Sequence, residues 1–385
     1  MRHVVVVGGG LAAARSVQEL RTQGFDGAIT VLAAEAHLPY DRPPLSKAVL
    51  RGGDDQVALD VDWAGLNVEL RLGCPALSLR DGFVETLEEE LPYDGLILAT
   101  GAKALRLPGS GTSLRTLDDA LSLSVHLTEG TKVVIVGAGW IGAEVATGAA
   151  QAGCEVTVVE LGPTPLSALP REVGELTAPW YADLGIQLRL NTAARSVQRH
   201  AVVLATGEKL AADIVLVAVG AAPETDWLMG SPIELDHGVV VDEHLATRLP
   251  GVVAVGDCVA RWSPRYATRL RVEHWDDALH GPAVAVSTLL GRPAVYDPVP
   301  YFWSDQLGHT IQWAGFAKGA DGVVRRGQPG DASGWAFCWL AGSRLVAMLT
   351  VDRPRDLVQG RRRMAEGAEP DRARLADTAV PVKSA

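Results

Sequence analysis

Val4-Val5-Val6-Val7-Gly8-Gly9-Gly10-Leu11-Ala12-Ala13-Ala14, at the very start of the chain, decides the fold. Four consecutive β-branched residues read as a buried strand, and the three glycines read as a turn. The small residues that follow open a helix running to about Gln23; a second apolar strand, Ala28 to Leu32, comes next, with the acid Glu35 just beyond its end. This is a dinucleotide-binding βαβ unit. Gly8 permits the tight turn, Gly10 lets the backbone approach a pyrophosphate, and Ala13 is small enough for close helix-on-strand packing, so that Leu11 and Ala12 at the helix N-terminus face the phosphates. Glu35 is then placed to hold a ribose hydroxyl.

The pattern repeats. Lys132 to Val136 is a strand, Gly137-Ala138-Gly139-Trp140-Ile141-Gly142 a full glycine fingerprint, Ala143 to Ala152 a helix, and Glu155 to Val159 a strand closed by Glu160. Two complete fingerprints in one chain imply two dinucleotides. Glu160 is followed by Leu161 and Gly162, with no arginine to meet a 2′-phosphate, which favours NAD over NADP. Three further strand ends point the same way. Gly95 to Ala99 runs into Thr100-Gly101 and returns the chain to the first nucleotide, and Asp213 to Val219 closes at Gly220. Val252 to Val255 ends in Gly256-Asp257, where Asp257 either accepts hydrogen bonds from a sugar alcohol or marks a plain turn.

At 385 residues the chain is too long for one core and fits two or three domains. Its 48% apolar residues and 41 glycines suit an α/β protein rich in tight turns, and its net charge of −11 argues against nucleic acid as a partner. Cys74, Cys154, Cys258 and Cys338 lie far apart, with neither Cys-x-x-Cys nor zinc spacing, so free thiols in a reducing cytoplasm and no metal site are expected. Arg2 and His3 before an apolar run resemble a short signal peptide, but cleavage there would remove the phosphate loop. No stretch offers eighteen uninterrupted apolar residues, so no membrane span is expected.

Elsewhere, Leu38 to Lys47 reads as a stiff double-proline loop ending in a helix start capped by Ser46. A helix is expected from about Arg171 to Leu184. Arg261, Arg265, Arg269 and Arg271 fall in a loop-like segment before a helix that opens at Glu273 to Ala278 and runs to Leu290. From Tyr301 a separate α+β domain is expected, with strands at Thr310 to Trp313, Trp335 to Leu340 and Leu345 to Leu349 and a basic helix around Arg361 to Arg363. The tail beyond Glu366 is expected to pack loosely at most.

With these pieces in place the chain resembles the flavin-dependent ferredoxin reductases of the oxygenase-coupled type, two-dinucleotide FAD/NAD reductases that serve Rieske dioxygenases and bacterial cytochromes P450. The resemblance rests on Tyr40-Asp41-Arg42-Pro43-Pro44-Leu45-Ser46-Lys47, both fingerprints, Ala99-Thr100-Gly101, Val255-Gly256-Asp257, Glu273 with Trp275, and Phe302-Trp303-Ser304-Asp305-Gln306. Leu375-Ala376-Asp377 and Val380-Pro381-Val382-Lys383 extend it to the end of the chain. The fold it implies is α/β: an FAD-binding Rossmann-like domain from residues 1–108 and 234–298, an NAD-binding one from 109–233, and a C-terminal α+β domain from 299–385.

The activity it implies is hydride transfer from NADH to FAD and single-electron delivery to a [2Fe–2S] ferredoxin feeding an oxygenase, by a monomer or weak dimer. The resemblance puts Arg42 among the flavin-binding residues, Lys47 beside the reactive flavin nitrogen in a pair with Glu144, and Trp275 near the flavin on the side facing the iron–sulfur partner. Around that tryptophan, His274-Trp275-Asp276-Asp277 departs from the family's usual amide-bearing sequence. The four arginines at 261–271, with Arg325, Arg326 and Arg361 to Arg363, are either scattered solvated charges or a basic docking face for an acidic ferredoxin. Two rivals share the fold. A disulfide reductase or peroxidase needs a redox-active cysteine near the flavin, and here the first cysteine is Cys74; the other rival is a flavoprotein that senses NADH without turnover.

Overall fold

The valine run is a strand because both of its faces are covered. In the computed structural model, which describes residues 1–53, 56–80, 82–109 and 111–385, Val4, Val5 and Val6 are fully buried. Each contributes about 1.5–3 kcal/mol by leaving water. His3–Val7 is the centre of a five-stranded sheet ordered Val252–Ala254, Gly95–Leu98, His3–Val7, Ala28–Leu32, Glu69–Arg71, every pair parallel. A parallel sheet needs helices on its faces, and the helices Leu11–Thr22 and Trp275–Leu289 pack against one another over it. All of this belongs to one compact unit, Met1–Asp41, Val57–Lys103 and Ala222–Pro300.

The second unit comprises Arg42–Gln56, Ala104–Ala221 and Tyr301–Ala385. Its parallel sheet is ordered Gln187–Arg189, Glu155–Val159, Lys132–Val136, Ile214–Val217, the same winding about a first strand, with the helix Trp140–Gln151 following the turn. Its larger antiparallel sheet is ordered Tyr301–Gln306, His309–Gly315, Arg344–Val351, Trp335–Ala341, Gly322–Arg326, and the helix Pro354–Ala365 packs on it. Trp313, Trp335, Phe337 and Trp339 form its aromatic core together with Leu166 and Val173. Among the described residues no helix is long and apolar enough to cross a membrane.

Four expectations need correcting. The helix placed over Arg171 to Leu184 is two short helices, Arg171–Thr177 and Pro179–Asp183, because Pro179 lacks the N–H that would continue the first. The arginine-rich segment is no loop: Val259–Ser263 and Thr268–Arg271 form an antiparallel hairpin that pairs Ala260 with Arg271. Two strands that the sequence reading omits, Tyr301–Gln306 and Gly322–Arg326, complete the last sheet. The C-terminal tail is bound down, with Leu375 and Val382 buried, and the buried Arg326 guanidinium donates to the carbonyls of Leu375, Asp377 and Val380.

Candidate functional site

The first fingerprint turn is forced by its neighbour strand. Gly8 has φ +137°, and a methyl group there would lie 2.1 Å from the Ala99 carbonyl oxygen, so the backbone leading into Thr100 and Gly101 runs directly against the turn. Gly10 is the opposite case. It caps the helix Leu11–Thr22 with extended backbone and no side-chain bond to the helix amides, and a methyl group there would meet nothing within 4 Å. The helix N-terminus at Leu11 and Ala12 thus opens onto free space with its first amides left for an anion. Ala13, at the third fingerprint position, is fully buried. Gly256 lies against this helix start, since a methyl group on it would come 3.1 Å from the Ala12 Cβ; this brings the Gly256-Asp257 turn to the same end of the sheet.

Around this cradle, the Thr100 hydroxyl donates to the Glu224 carbonyl at 2.6 Å and fixes the Ala99–Gly101 turn. Glu35 accepts from the Tyr40 hydroxyl at 2.5 Å, a partner the sequence reading did not assign although Tyr40 stands in the quoted motif. Its neighbour Asp41 accepts from the Trp275 indole N–H at 2.6 Å, which orients that ring at the first residue of its helix. Burial raises the Asp41 carboxyl above the ordinary range, with the indole bond pulling the other way.

The second fingerprint repeats the construction. Gly137 has φ +107°, and a methyl group there would lie 2.4 Å from the Ala218 carbonyl oxygen; at Gly139 it would meet nothing within 4 Å; at Gly142 it would sit 2.1 Å from the Gly137 carbonyl oxygen. Ile141 is partly exposed beside the open turn, and Gly220 closes the following strand with φ +110°. Glu160, 9% exposed, accepts from the Ala138 N–H and the Gly162 N–H, each at 2.8 Å, one on each carboxylate oxygen. Both cradles therefore fit a dinucleotide. Each has an enforced first glycine, an open second one and an acid after the second strand.

Lys47 and Glu144 meet within one unit. The Lys47 Nζ donates to Glu144 Oε2 at 2.8 Å, and Glu144, one turn into the helix Trp140–Gln151, is 5% exposed. Ser46 is a correction to the sequence reading. It caps no helix but ends the 3-10 turn Pro43–Ser46, and its hydroxyl also donates to Glu144 Oε2. Glu144 Oε1 is taken by the Ser304 hydroxyl at 2.6 Å. The sequence reading gives neither serine a role at Glu144, although Ser304 lies in the quoted Trp-Ser-Asp-Gln stretch. Arg42 donates to the Arg115 carbonyl at 2.6 Å in the same unit.

The basic docking face loses members. Arg261 is 2% exposed, beside Asp277 and Asp297 and over the Tyr296 ring, and Arg326 is 1% exposed in its clamp on Asp356 and the C-terminal carbonyls. Arg269 donates to the Val241 and Ala260 carbonyls, and Arg271 pairs with Glu273. A buried guanidinium needs internal partners; Arg326 has them as hydrogen bonds, whereas Arg261 has one long bond to Asp277 at 3.5 Å and the Asp297 carboxylate at 3.9 Å, with Nη1 and Nη2 left without hydrogen-bond partners among the described residues. Arg261 and Arg326 are thereby removed from any surface.

The four cysteines are free, and burial raises each thiol: Cys258 is pushed up to about 11 and Cys338 to about 12, with smaller rises at Cys74 and Cys154. None has the depressed pKa of an attacking thiolate.

Residues 2–280 match the pyridine nucleotide-disulphide oxidoreductase family, and residues 301–385 match the reductase C-terminal domain. The chain is 36% identical over 402 residues to the ferredoxin reductase component of a chlorobenzene dioxygenase from Cupriavidus sp. (strain PS12), covering 97% of this chain and 95% of that protein. Its structure is similar to the crystal structure of Fdr9, at TM-score 0.94 and 47% identity over 99% of both chains. It is also similar to the crystal structure of the covalent putidaredoxin reductase–putidaredoxin complex, at TM-score 0.94 and 29% identity over 99% of this chain and 97% of that one. With two dinucleotide cradles followed by that C-terminal domain, the chain belongs to the pyridine nucleotide-disulphide oxidoreductase family, as a flavoprotein oxidoreductase of FAD and NAD.

Proposed function

We propose that this protein is an NADH-dependent, FAD-containing ferredoxin reductase that delivers electrons to a [2Fe–2S] ferredoxin feeding an oxygenase, in the cytoplasm. The observation that carries the reading is the pair of complete, open dinucleotide cradles in one chain, supported by relatives that are ferredoxin reductase components of oxygenase systems. FAD is assigned to residues 1–108 and 234–298 and NADH to 109–233. Bound FAD supplies the conversion of a two-electron donation into single-electron steps. The chain's own residues do the rest. Gly10 and Gly139 admit the pyrophosphates, Glu35 and Asp257 take ribose hydroxyls on the flavin side, and Glu160 sets the end of the NADH cradle. Lys47, held by Glu144, offers a fixed cation where negative charge arrives with the hydride. Trp275, oriented by Asp41, presents an aromatic ring toward the electron acceptor. The deactivated thiols weigh against a disulfide reductase.

Anaerobic mixing with NADH tests the assignment. The flavin absorbance should bleach, and added ferredoxin should then turn over in many cycles. Bleaching followed by reduction of disulfides and not of ferredoxin would refute it in favour of the thiol rival, and bleaching with no turnover of any acceptor would favour a sensor.

A further inference from the structure

We propose that Ser304 is a positioning residue for the Lys47–Glu144 pair, so that the C-terminal domain holds the charge assigned above to hydride acceptance; this rests on that assignment of Lys47. Glu144 is buried at 5% exposure, and its two oxygens are satisfied from different directions. Oε2 receives the Lys47 ammonium at 2.8 Å and the Ser46 hydroxyl, while Oε1 receives the Ser304 hydroxyl at 2.6 Å. Ser304 is 1% exposed and its oxygen in turn accepts from the Gln306 amide Nε2 at 3.0 Å. An amide nitrogen can only donate, so the serine proton must point at Glu144, and the chain Gln306 to Ser304 to Glu144 has one direction. Its end is a carboxylate, where hydrogen bonds are strongest.

The same strand end is pinned a second time. The Leu307 N–H donates to the Thr147 hydroxyl at 2.8 Å, one helical turn from Glu144, so residues 304–307 are registered against the helix face that carries the acid. Three stretches therefore converge on one carboxylate: the Pro43–Ser46 turn with Lys47, the second fingerprint helix, and the first strand of the C-terminal domain. Without the Ser304 hydroxyl, Oε1 loses its donor and the Gln306 amide loses its acceptor. A buried carboxylate left in that state turns to recover partners, and Lys47 moves with it.

The test is acetylation of Lys47 by acetic anhydride in the full-length protein, read by peptide mass spectrometry as a ratio to the exposed Lys132. In Ser304→Ala the ratio should rise about fivefold, the reactivity expected when one charge-assisted hydrogen bond no longer holds the pair. Flavin reduction at saturating NADH should slow about tenfold with the NADH dissociation constant unchanged, because the loss is felt as charge develops. Ser304→Thr, which keeps the hydroxyl, should restore both. Should Ser304→Ala not fold, Gln306→Met weakens the same chain one bond further back, with a rise of about twofold to threefold. Because the labelling needs neither NADH nor an acceptor, it separates failure of this positioning role from failure of the assigned reaction. An unchanged Lys47 to Lys132 ratio in the folded variant, with only thermal stability reduced, would overturn the proposal and leave Ser304 a packing residue.

Discussion

The two βαβ units agree at their first two glycines and part company at the third position and at the acid. In both, a methyl group on the first glycine would strike a carbonyl of the neighbouring strand, at 2.1 Å for Gly8 and 2.4 Å for Gly137, and the second glycine opens on free space. At the third position the first unit carries a buried Ala13, whereas a methyl group on Gly142 would lie 2.1 Å from its own turn at the Gly137 carbonyl oxygen. The second turn is therefore wound more tightly against its helix. The acids differ in what holds them. Glu160 uses both oxygens on amides of its own unit, Ala138 and Gly162, while Glu35 is held by Tyr40 from the following loop, whose next residue binds Trp275. In the cradle proposed for NADH the acid is self-contained, held by backbone amides, and in the cradle proposed for FAD it depends on a side chain from the following loop.

The largest expected effect probes what the units share. Gly8→Ala and Gly137→Ala each force a side chain into a backbone carbonyl at positive φ, and each should cost more than about 3 kcal/mol, read as a lower denaturation midpoint. Tolerance at either site would break the equivalence of the turns. Next come the open glycines, where a side chain displaces ligand and not protein. Gly10→Val should abolish FAD binding while the chain stays folded. Gly139→Val should keep the flavin and weaken NADH about a hundredfold or more, roughly 2.7 kcal/mol. If Gly139→Val lost the flavin, the assignment of the two cradles would be reversed.

A smaller effect is expected at the self-contained acid. Glu160→Gln places an amide NH₂ opposite either the Ala138 or the Gly162 N–H, a donor facing a donor, and should cost about 1–3 kcal/mol of stability together with part of the NADH preference. Placed beside the ribose, the carboxylate would disfavour a 2′-phosphate by up to about 4 kcal/mol at close range for an effective dielectric near 20, before screening. Steady-state kcat/KM with NADH and NADPH should therefore converge in this variant. An unchanged ratio would show that the backbone, and not the Glu160 charge, makes the selection.

How much of this could be read beforehand follows from the range of the interactions. The βαβ units were readable because strand, turn and helix lie within about thirty consecutive residues, the span of one such motif, and their burial periodicity is local. Ala28–Leu32, Lys132–Val136 and Glu155–Val159 fall where the apolar runs place them. Polar pairing was readable only through the family resemblance. Lys47 and Glu144 lie 97 residues apart and Ser304 lies 160 beyond the acid, and no local pattern links them. Ser46 looked like a helix cap because serine after prolines is a common start signal, yet its hydroxyl had a buried carboxylate to satisfy. The arginines misled for the same reason. Arg261 and Arg326 carry no sequence mark of burial, since their acidic partners Asp277 and Asp356 come from later helices.

The smallest effect tests the borrowed acid. Tyr40→Phe removes the hydroxyl that donates to Glu35 at 2.5 Å and leaves the ring, 3% exposed, in its place. Hydrogen bonds to charged groups contribute about 1.5–3 kcal/mol, but Glu35 is only half-buried and water can replace the lost donor, so the net cost should be near 1 kcal/mol. By the tenfold-per-1.36 kcal/mol rule that is about fivefold weaker FAD binding, measured by titrating FAD into deflavinated protein. NADH affinity should not move, because Glu160 takes its hydrogen bonds from amides of its own unit. Glu35→Gln keeps an acceptor for Tyr40 and removes the charge, so a larger loss there than in Tyr40→Phe would assign the ribose contact to the carboxylate itself. If Tyr40→Phe weakened NADH and FAD alike, the contrast between an acid held by backbone amides and one held by a side chain would fail. If it weakened neither, Tyr40 would be a packing residue whose hydroxyl is dispensable.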